Sequence, residues 1–355
     1  MPNIPQLVYR TAYLMFICLM ALIVFVLFLQ SHINGFYPAM FSDMIYGKAF
    51  KPYVYRTLLP STVRMITSTI PAKTKSAINK SIENNQFVQN VRYQIFGRKF
   101  HKNEIEFTIE YIIALSLMFL SLVGFAWATT YLFCSFYGTH KAMYIVPFFA
   151  LSGLPLFFKY YSYLYDFPNL FLFTVALGLM IREKWLSFIL VFIAACLNKE
   201  TAILLTLIFA IHFKNRLLLS HAPYLQLFIQ QLIIFVFIKS VLYLIFRNNP
   251  GTTIEFHLYD HNLLLLNFYT LAVICFWLAI ISAGAILIFY KWSDKPDFLR
   301  HGLWIAVPLF LLTLFFGFID EWRDYYELYP IVMLLIFTGL SSLMGIKMLQ
   351  VGQKR

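Results

Sequence analysis

The residues with most to offer chemically stand in six short stretches of a 355-residue chain. Asp43 lies in FSDMIYGK, Tyr53 and Arg56 in KPYVYRTLLP, Asp166 in YLYDFPN, and Lys199 with Glu200 in LNKET. Glu255, His257, Asp260 and His261 share EFHLYDH, and Asp320, Glu321, Arg323 and Glu327 share DEWRDYYELYP. A carboxylate within hydrogen-bond reach of a hydroxyl can take its proton. An arginine can hold a phosphate through two parallel bonds, and a lysine can do so as a point charge. The two groups together suit a transfer in which a hydroxyl attacks and a phosphate leaves.

Each stretch also has a plainer reading. Asp166 precedes Phe-Pro-Asn at the expected start of a helix, where the dipole favours a carboxylate and proline fits the first turn. The tyrosines of KYYSYLYDF read mainly as an interfacial aromatic belt. His257 and His261 are spaced for one helical face, yet no third metal ligand is set by spacing. Lys199 and Glu200, as neighbours at a helix start, point about 100° apart and can meet different partners. In DEWRD three carboxylates flank one arginine, which invites a buried ion network or a phosphate contact.

The elements that must carry these residues are apolar. The chain is 61% hydrophobic and only 12% charged, about half the charge of an ordinary soluble domain. Apolar runs near 11–30, 108–134, 142–158, 168–181, 185–197, 201–213, 225–246, 270–290, 303–318 and 331–347 predict an all-α polytopic membrane protein of about ten spans. With the N-terminus inside, the inner segments hold 12 basic residues and 3 acidic ones, whereas the four short outer loops hold 4 basic residues. That bias places both termini in the cytoplasm. It also leaves no separate basic face for nucleic acid, despite a net charge of +12. Of the 16 acidic residues, 13 fall on the outer side, which puts the expected chemistry there.

The first run has the character of a retained signal anchor. All four cysteines lie within apolar runs, so no disulfide framework or metal cluster is implied. The segment 31–107 is an expected extracytoplasmic loop within a single transmembrane domain, and it carries 11 of the 28 basic residues. STVRMITSTI and NNQFVQNVRYQIF space apolar residues for surface helices on the bilayer, near lipid headgroups. The pair 185–197 and 201–213 is too short for full spans, since thirteen helical residues rise only about 20 Å. A short or re-entrant pair would place NKE below the outer surface, where polar backbone needs a protein-lined or wet environment. Lys239 falls deep within the seventh run, so either a carboxylate partner or a shifted span boundary is expected there. No nucleotide-binding, zinc-protease or serine-hydrolase motif is present.

An outer first loop carrying Asp43, a KET at a short-helix turn, PYVYR, EWR and outward carboxylates resemble the GT-C superfamily of integral-membrane glycosyltransferases. The resemblance rests on these short motifs and the topology, about a third of the chain. It implies an enzyme, a polyprenyl-phosphate-linked sugar as donor, and a glycan, lipid or protein acceptor on the extracytoplasmic side, for which a bacterial inner membrane is preferred. By position, Asp43 matches the first-loop acid that acts as general base, and Asp166 a second-loop acid placing the acceptor or a divalent cation. Lys199 and Glu200 match the pair near the carrier phosphate. Many members have paired first-loop acids where FSDMIYGK has one, so Asp166 or Glu321 stand as substitutes for the base. Arg56, Lys199 and Arg323 are the expected phosphate contacts, with Tyr53 and His257 beside the substrate. A transporter or flippase for a lipid-linked saccharide, binding through the same residues without chemistry, is the alternative from another class. A polysaccharide polymerase of the O-antigen type is a third.

Overall fold

The computed structural model describes residues 4–31, 33–83, 85, 86, 90, 107–219, 222–265 and 270–351. These residues form helices joined by turns. The first half comprises α1 (Ile4–Leu29), α2 (Phe41–Ile45), α3 (Leu58–Ser68), α4 (Ala72–Glu83), α5 (Thr108–Tyr137), α6 (Val146–Ser152) and α7 (Asp166–Ile181). The second comprises α8 (Trp185–Asn198), α9 (Ile203–His212), α10 (Lys214–Leu218), α11 (Ala222–Ile245), α12 (Leu271–Phe289), α13 (Asp297–Gly302), α14 (Ala306–Phe316) and α15 (Tyr329–Leu343).

Helix occupies all ten of the apolar stretches. Five helices, Val8–Leu29, Thr108–Tyr137, Pro223–Ile245, Leu271–Phe289 and Asp297–Phe316, are long and apolar enough to cross a membrane. The others are shorter apolar helices, among them α7, α8, α9 and α15. Proline punctuates their starts: Pro147, Pro168 and Pro330 all sit in first turns, where a missing N–H costs nothing. Gly138, at φ +61°, ends α5 in a conformation that glycine adopts without strain.

Two helices make the core. α5 packs along α7, and each lends a glycine to the other's aromatic ring. A Cβ on Gly124 would meet the Phe171 ring at 2.9 Å, and one on Gly178 would meet Tyr131 at 2.6 Å. Large apolar side chains on both helices, including Phe125, Phe133, Phe167 and Phe173, are wholly buried. α8 lies against α7, α9 and α8 lean on α11, and α1 closes the other side of α5. α12 is different: it buries none of its side chains and is held mainly along α15.

The described residues 33–83 of the first loop are docked on the rest of the protein. STVRMITSTI lies in α3 and its continuation, with Leu59, Val63 and Thr67 buried along one face, the spacing of an amphipathic helix. NNQFVQNVRYQIF lies almost entirely outside the described residues. The KPYVYR stretch is tied to the loop after α11: the Lys51 N–H donates to Pro250 O at 2.9 Å, and Asn249 Nδ2 donates to Gly47 O and Ala49 O. Gly251 makes this approach feasible. Its φ is +85°, and a Cβ there would stand 2.8 Å from Lys51 O.

Candidate functional site

The turn between α8 and α9 organises the site. Lys199 is extended, at φ −153° and ψ 147°, and a 3₁₀ turn from Glu200 to Ala202 follows it. The expectation of two residues at a helix start is therefore corrected: one extended residue separates two helices. Three successive side chains then reach three different segments. Asn198 Nδ2 donates to Tyr165 O at 3.0 Å. Lys199 Nζ lies 3.1 Å from Glu327 Oε1. Glu200 receives Arg56, whose Nη2 lies 2.6 Å from Oε1, with Nε 3.4 Å from Oε2.

Arg56 is placed by its backbone. It follows the 3₁₀ turn Tyr53–Tyr55, and the next N–H, on Thr57, donates to Leu197 O at 2.9 Å at the end of α8. Its guanidinium stands 4.1 Å over the Tyr165 ring and 5.3 Å from the Tyr53 ring centre, contacts that favour a cation. Burial opposes the charge, but Glu200 and the two tyrosines hold the guanidinium above its ordinary range.

Arg323 approaches Tyr165 at its hydroxyl rather than over its ring. Its Nη1 donates to the Tyr165 hydroxyl at 3.2 Å and lies 3.7 Å from Asp166 Oδ1. Its Nε donates to Glu321 Oε1 at 2.7 Å, and its guanidinium covers the Tyr163 ring at 4.1 Å. The rings of Tyr53, Tyr163 and Tyr165 stack in sequence, 5.5 and 5.3 Å apart. Tyr163 and Tyr165 are 2% and 1% exposed, so the belt reading of KYYSYLYDF fails for these two. They are the partition between two buried arginines. Tyr161, 37% exposed, is the one that fits a belt.

The carboxylates are shared out with little overlap. Asp166, in the first turn of α7, accepts the Tyr163 N–H at 2.9 Å through Oδ2 and faces Arg323 through Oδ1. Glu327 is wholly buried and takes Lys199, Asn169 Nδ2 at 2.8 Å and the Thr201 hydroxyl. Three cations, Arg56, Lys199 and Arg323, thus face four carboxylates, Asp166, Glu200, Glu321 and Glu327. Burial pushes the Glu321 carboxyl above the usual carboxylate range, with Arg323 working against that and Asp324 with it.

Of the residues singled out in the sequence, Tyr53, Arg56, Asp166, Lys199, Glu200, Glu321, Arg323 and Glu327 meet in this one cluster. Asp43 and His257 do not join it. Asp43 sits in the first turn of α2, partly exposed, with no side-chain bond to the cluster among the described residues. His257 is engaged at both ring nitrogens, by Asp260 at 3.1 Å and Glu255 at 3.3 Å. Lys239 donates to the carbonyl of Cys196 at 2.7 Å, a backbone partner in place of the expected carboxylate. Among the described residues no group of three or more His, Cys, Asp and Glu is arranged to hold a metal ion. Asn169 was missed as a site residue, although Asp166 and Asn169 are one turn apart and therefore share a helix face.

Beside this polar end lies a groove of about 540 Å³, lined wholly by apolar side chains of α9 and α14, from Ile203 and Leu207 to Pro308 and Phe316. Ile203 follows the Glu200 turn directly, and Glu200 itself is 43% exposed. No family model matches the chain, and neither a curated protein nor a solved structure is significantly similar to it.

Proposed function

We propose that this chain is an integral-membrane glycosyltransferase that moves a sugar from a polyprenyl-phosphate carrier to an extracytoplasmic acceptor, with inversion. The reading takes ten spans with both termini in the cytoplasm and sets the cluster at the outer face of a bacterial inner membrane. One observation carries it: Glu200, the partner of Arg56 and half open in its side chain, begins the 3₁₀ turn that ends just before Ile203, a residue lining an apolar groove. A lipid phosphate needs cations at its head and an apolar surface along its chain.

In this mechanism the acceptor oxygen attacks the anomeric carbon as the bond to the carrier phosphate breaks. Positive charge is needed where the phosphate develops its own. Arg56 supplies it by exchanging Glu200 for phosphate, while Lys199 and Arg323, each already paired with a carboxylate, Glu327 and Glu321, are the further cations close to it. Tyr53 flanks Arg56 on the substrate side. Asp43, and after it Asp166 or Glu321, are the carboxylates available to the acceptor. A divalent cation held at Asp166 would sit beside Arg323, whose Nη1 is 3.7 Å from Oδ1.

A panel of polyprenyl-phosphate sugars offered to the purified protein in nanodiscs, with a lipid-extract acceptor, tests the reading. Transfer by the wild type that falls in Arg56→Ala and Asp43→Asn is the expected result. Binding of labelled carrier without transfer from any donor would favour the flippase reading. One contact favours that second reading: polar groups also occur at the inner end, where His212 and His301 meet through their Nδ1 atoms at 3.1 Å. A long-glycan product would instead indicate a polymerase.

A further inference from the structure

A second polar assembly lies next to the first and shares its two segments, 159–166 and 318–327. At its centre Asp320 receives the Lys159 ammonium at 2.7 Å, the Tyr160 hydroxyl, and His261 Nε2 at 2.9 Å. The Asp320 side chain is 11% exposed and that of His261 is 24% exposed. The His261 ring lies against Phe318, with centroids 4.0 Å apart.

The segment that carries His261 is clamped. Asn262, 7% exposed, donates through Nδ2 to the carbonyls of Thr313, Leu314 and Gly317, and its Oδ1 accepts the Ile319 N–H at 2.9 Å. The His257 N–H donates to Phe315 O at 2.8 Å. His257, tied at both ring nitrogens, packs its ring on Phe318 at 4.7 Å. The end of α14 and the 257–264 segment therefore move as one, and His261 is fixed relative to Asp320.

A carboxylate oxygen accepts, so Nε2 of His261 carries the hydrogen that Asp320 takes. The other ring nitrogen, Nδ1, then presents a lone pair and has no partner among the described residues. A buried carboxylate that orients one ring nitrogen and leaves the other open is the arrangement that makes an imidazole a general base. The carboxylates of the first cluster are worse placed for that task, because Asp166 and Glu321 already face Arg323 and are 2% and 9% exposed.

We propose that His261, oriented by Asp320, is the base that takes the proton from the hydroxyl acceptor; this rests on the transferase reading above. The acceptor O–H proton passes to His261 Nδ1, the freed oxygen forms the bond to the anomeric carbon, and the carbon–oxygen bond to the carrier phosphate breaks with its electron pair going to the phosphate. The imidazolium formed is balanced by Asp320. The acceptor class is thus a neutral hydroxyl, of a sugar or an alcohol, rather than a group that is already an anion. Lys159 and Tyr160 are positioning residues, and so is Asp320.

Two measurements on the full-length protein test this. The first needs no substrate: acylation by diethylpyrocarbonate near neutral pH, mapped by mass spectrometry. His261 is expected to react faster than His257, and Asp320→Asn to slow it by letting the ring adopt the other tautomer. His261 reacting no faster than His257 overturns the proposal, whatever the enzyme does. The second is sugar transfer. His261→Gln is expected to lose about 10²–10⁴-fold in kcat with donor KM held, and imidazole is expected to restore part of the activity of His261→Gly. Wild-type transfer with unimpaired His261→Gln, beside a collapsed Asp43→Asn, overturns the proposal and leaves the transferase reading intact. A reactive His261 in a protein that transfers from no donor supports the dyad and removes the transferase reading.

Discussion

Lys199 Nζ stands 3.1 Å from Glu327 Oε1, with the two side chains 5% and 0% exposed. Glu327 also takes Asn169 and Thr201 through that same oxygen, so the carboxylate joins α7, the α8–α9 turn and the segment before α15. Removing one partner of a buried pair leaves a charge that water cannot reach.

Glu327→Gln is accordingly expected to cost about 3–5 kcal/mol of stability, and the double change Lys199→Met with Glu327→Leu much less, since no orphan charge remains. Thermal unfolding of the wild type, Lys199→Met, Glu327→Leu and the double variant in one detergent gives the coupling energy directly. A double variant as unstable as the sum of the singles would show that the pair is not coupled.

Arg56→Lys tests geometry against charge. Both Nε and Nη2 of Arg56 meet Glu200, and a lysine cannot span two oxygens. Loss of one charge-assisted bond, worth about 1.5–3 kcal/mol, predicts that transfer falls about 10–100-fold. Folded yield on size exclusion is expected to hold, because the Glu200 left behind is 43% exposed.

Lys295 gives a pH dependence. It is 3% exposed, and Nζ donates to Leu287 O and Leu335 O, with no carboxylate partner among the described residues. Burial pulls its ammonium from 10.5 down to about 8. Between those values the unfolded chain binds more protons than the folded one, so stability rises with pH. The wild type is expected to gain on Lys295→Met by up to about 1.4 kcal/mol per pH unit above about pH 8. A difference in melting temperature that stays flat from neutral to alkaline pH would contradict this.

Gly339 sits where α12 meets α15. A Cβ there would run into the backbone oxygen of Leu287, the same carbonyl that Lys295 caps. Gly339→Ala is expected to destabilise by about 1–3 kcal/mol through overpacking. Gly284→Ala, on α12 with nothing within 4 Å, is expected to be neutral or to stabilise by up to about 1 kcal/mol. Protease susceptibility of the α12 region, compared between the two variants, reads the difference.

Hydrophobic runs, punctuating prolines and charge alone determined the helices, the amphipathic α3 and the short α8–α9 pair, because length, periodicity and polarity are local properties. The same pattern marked NKE, since a polar tripeptide between short apolar helices has to find protein partners. What only the tertiary structure decided was which partners those are. Lys199 meets Glu327 and not its neighbour Glu200 because the backbone is extended at Lys199, and no local signal specifies that one dihedral. Tyr163 and Tyr165 look like any interfacial tyrosines in sequence. They become a partition between Arg56 and Arg323 because the first loop, docked by Gly251 against Lys51, brings Arg56 onto one face of Tyr165. His257 and His261 have near-identical surroundings in sequence, and only folding separates them. One is closed by Glu255 and Asp260 at two positions in its own segment, while the other is opened toward Asp320 by a contact between distant segments. Local chemistry can nominate ionisable residues, but pairing is a property of three-dimensional distance.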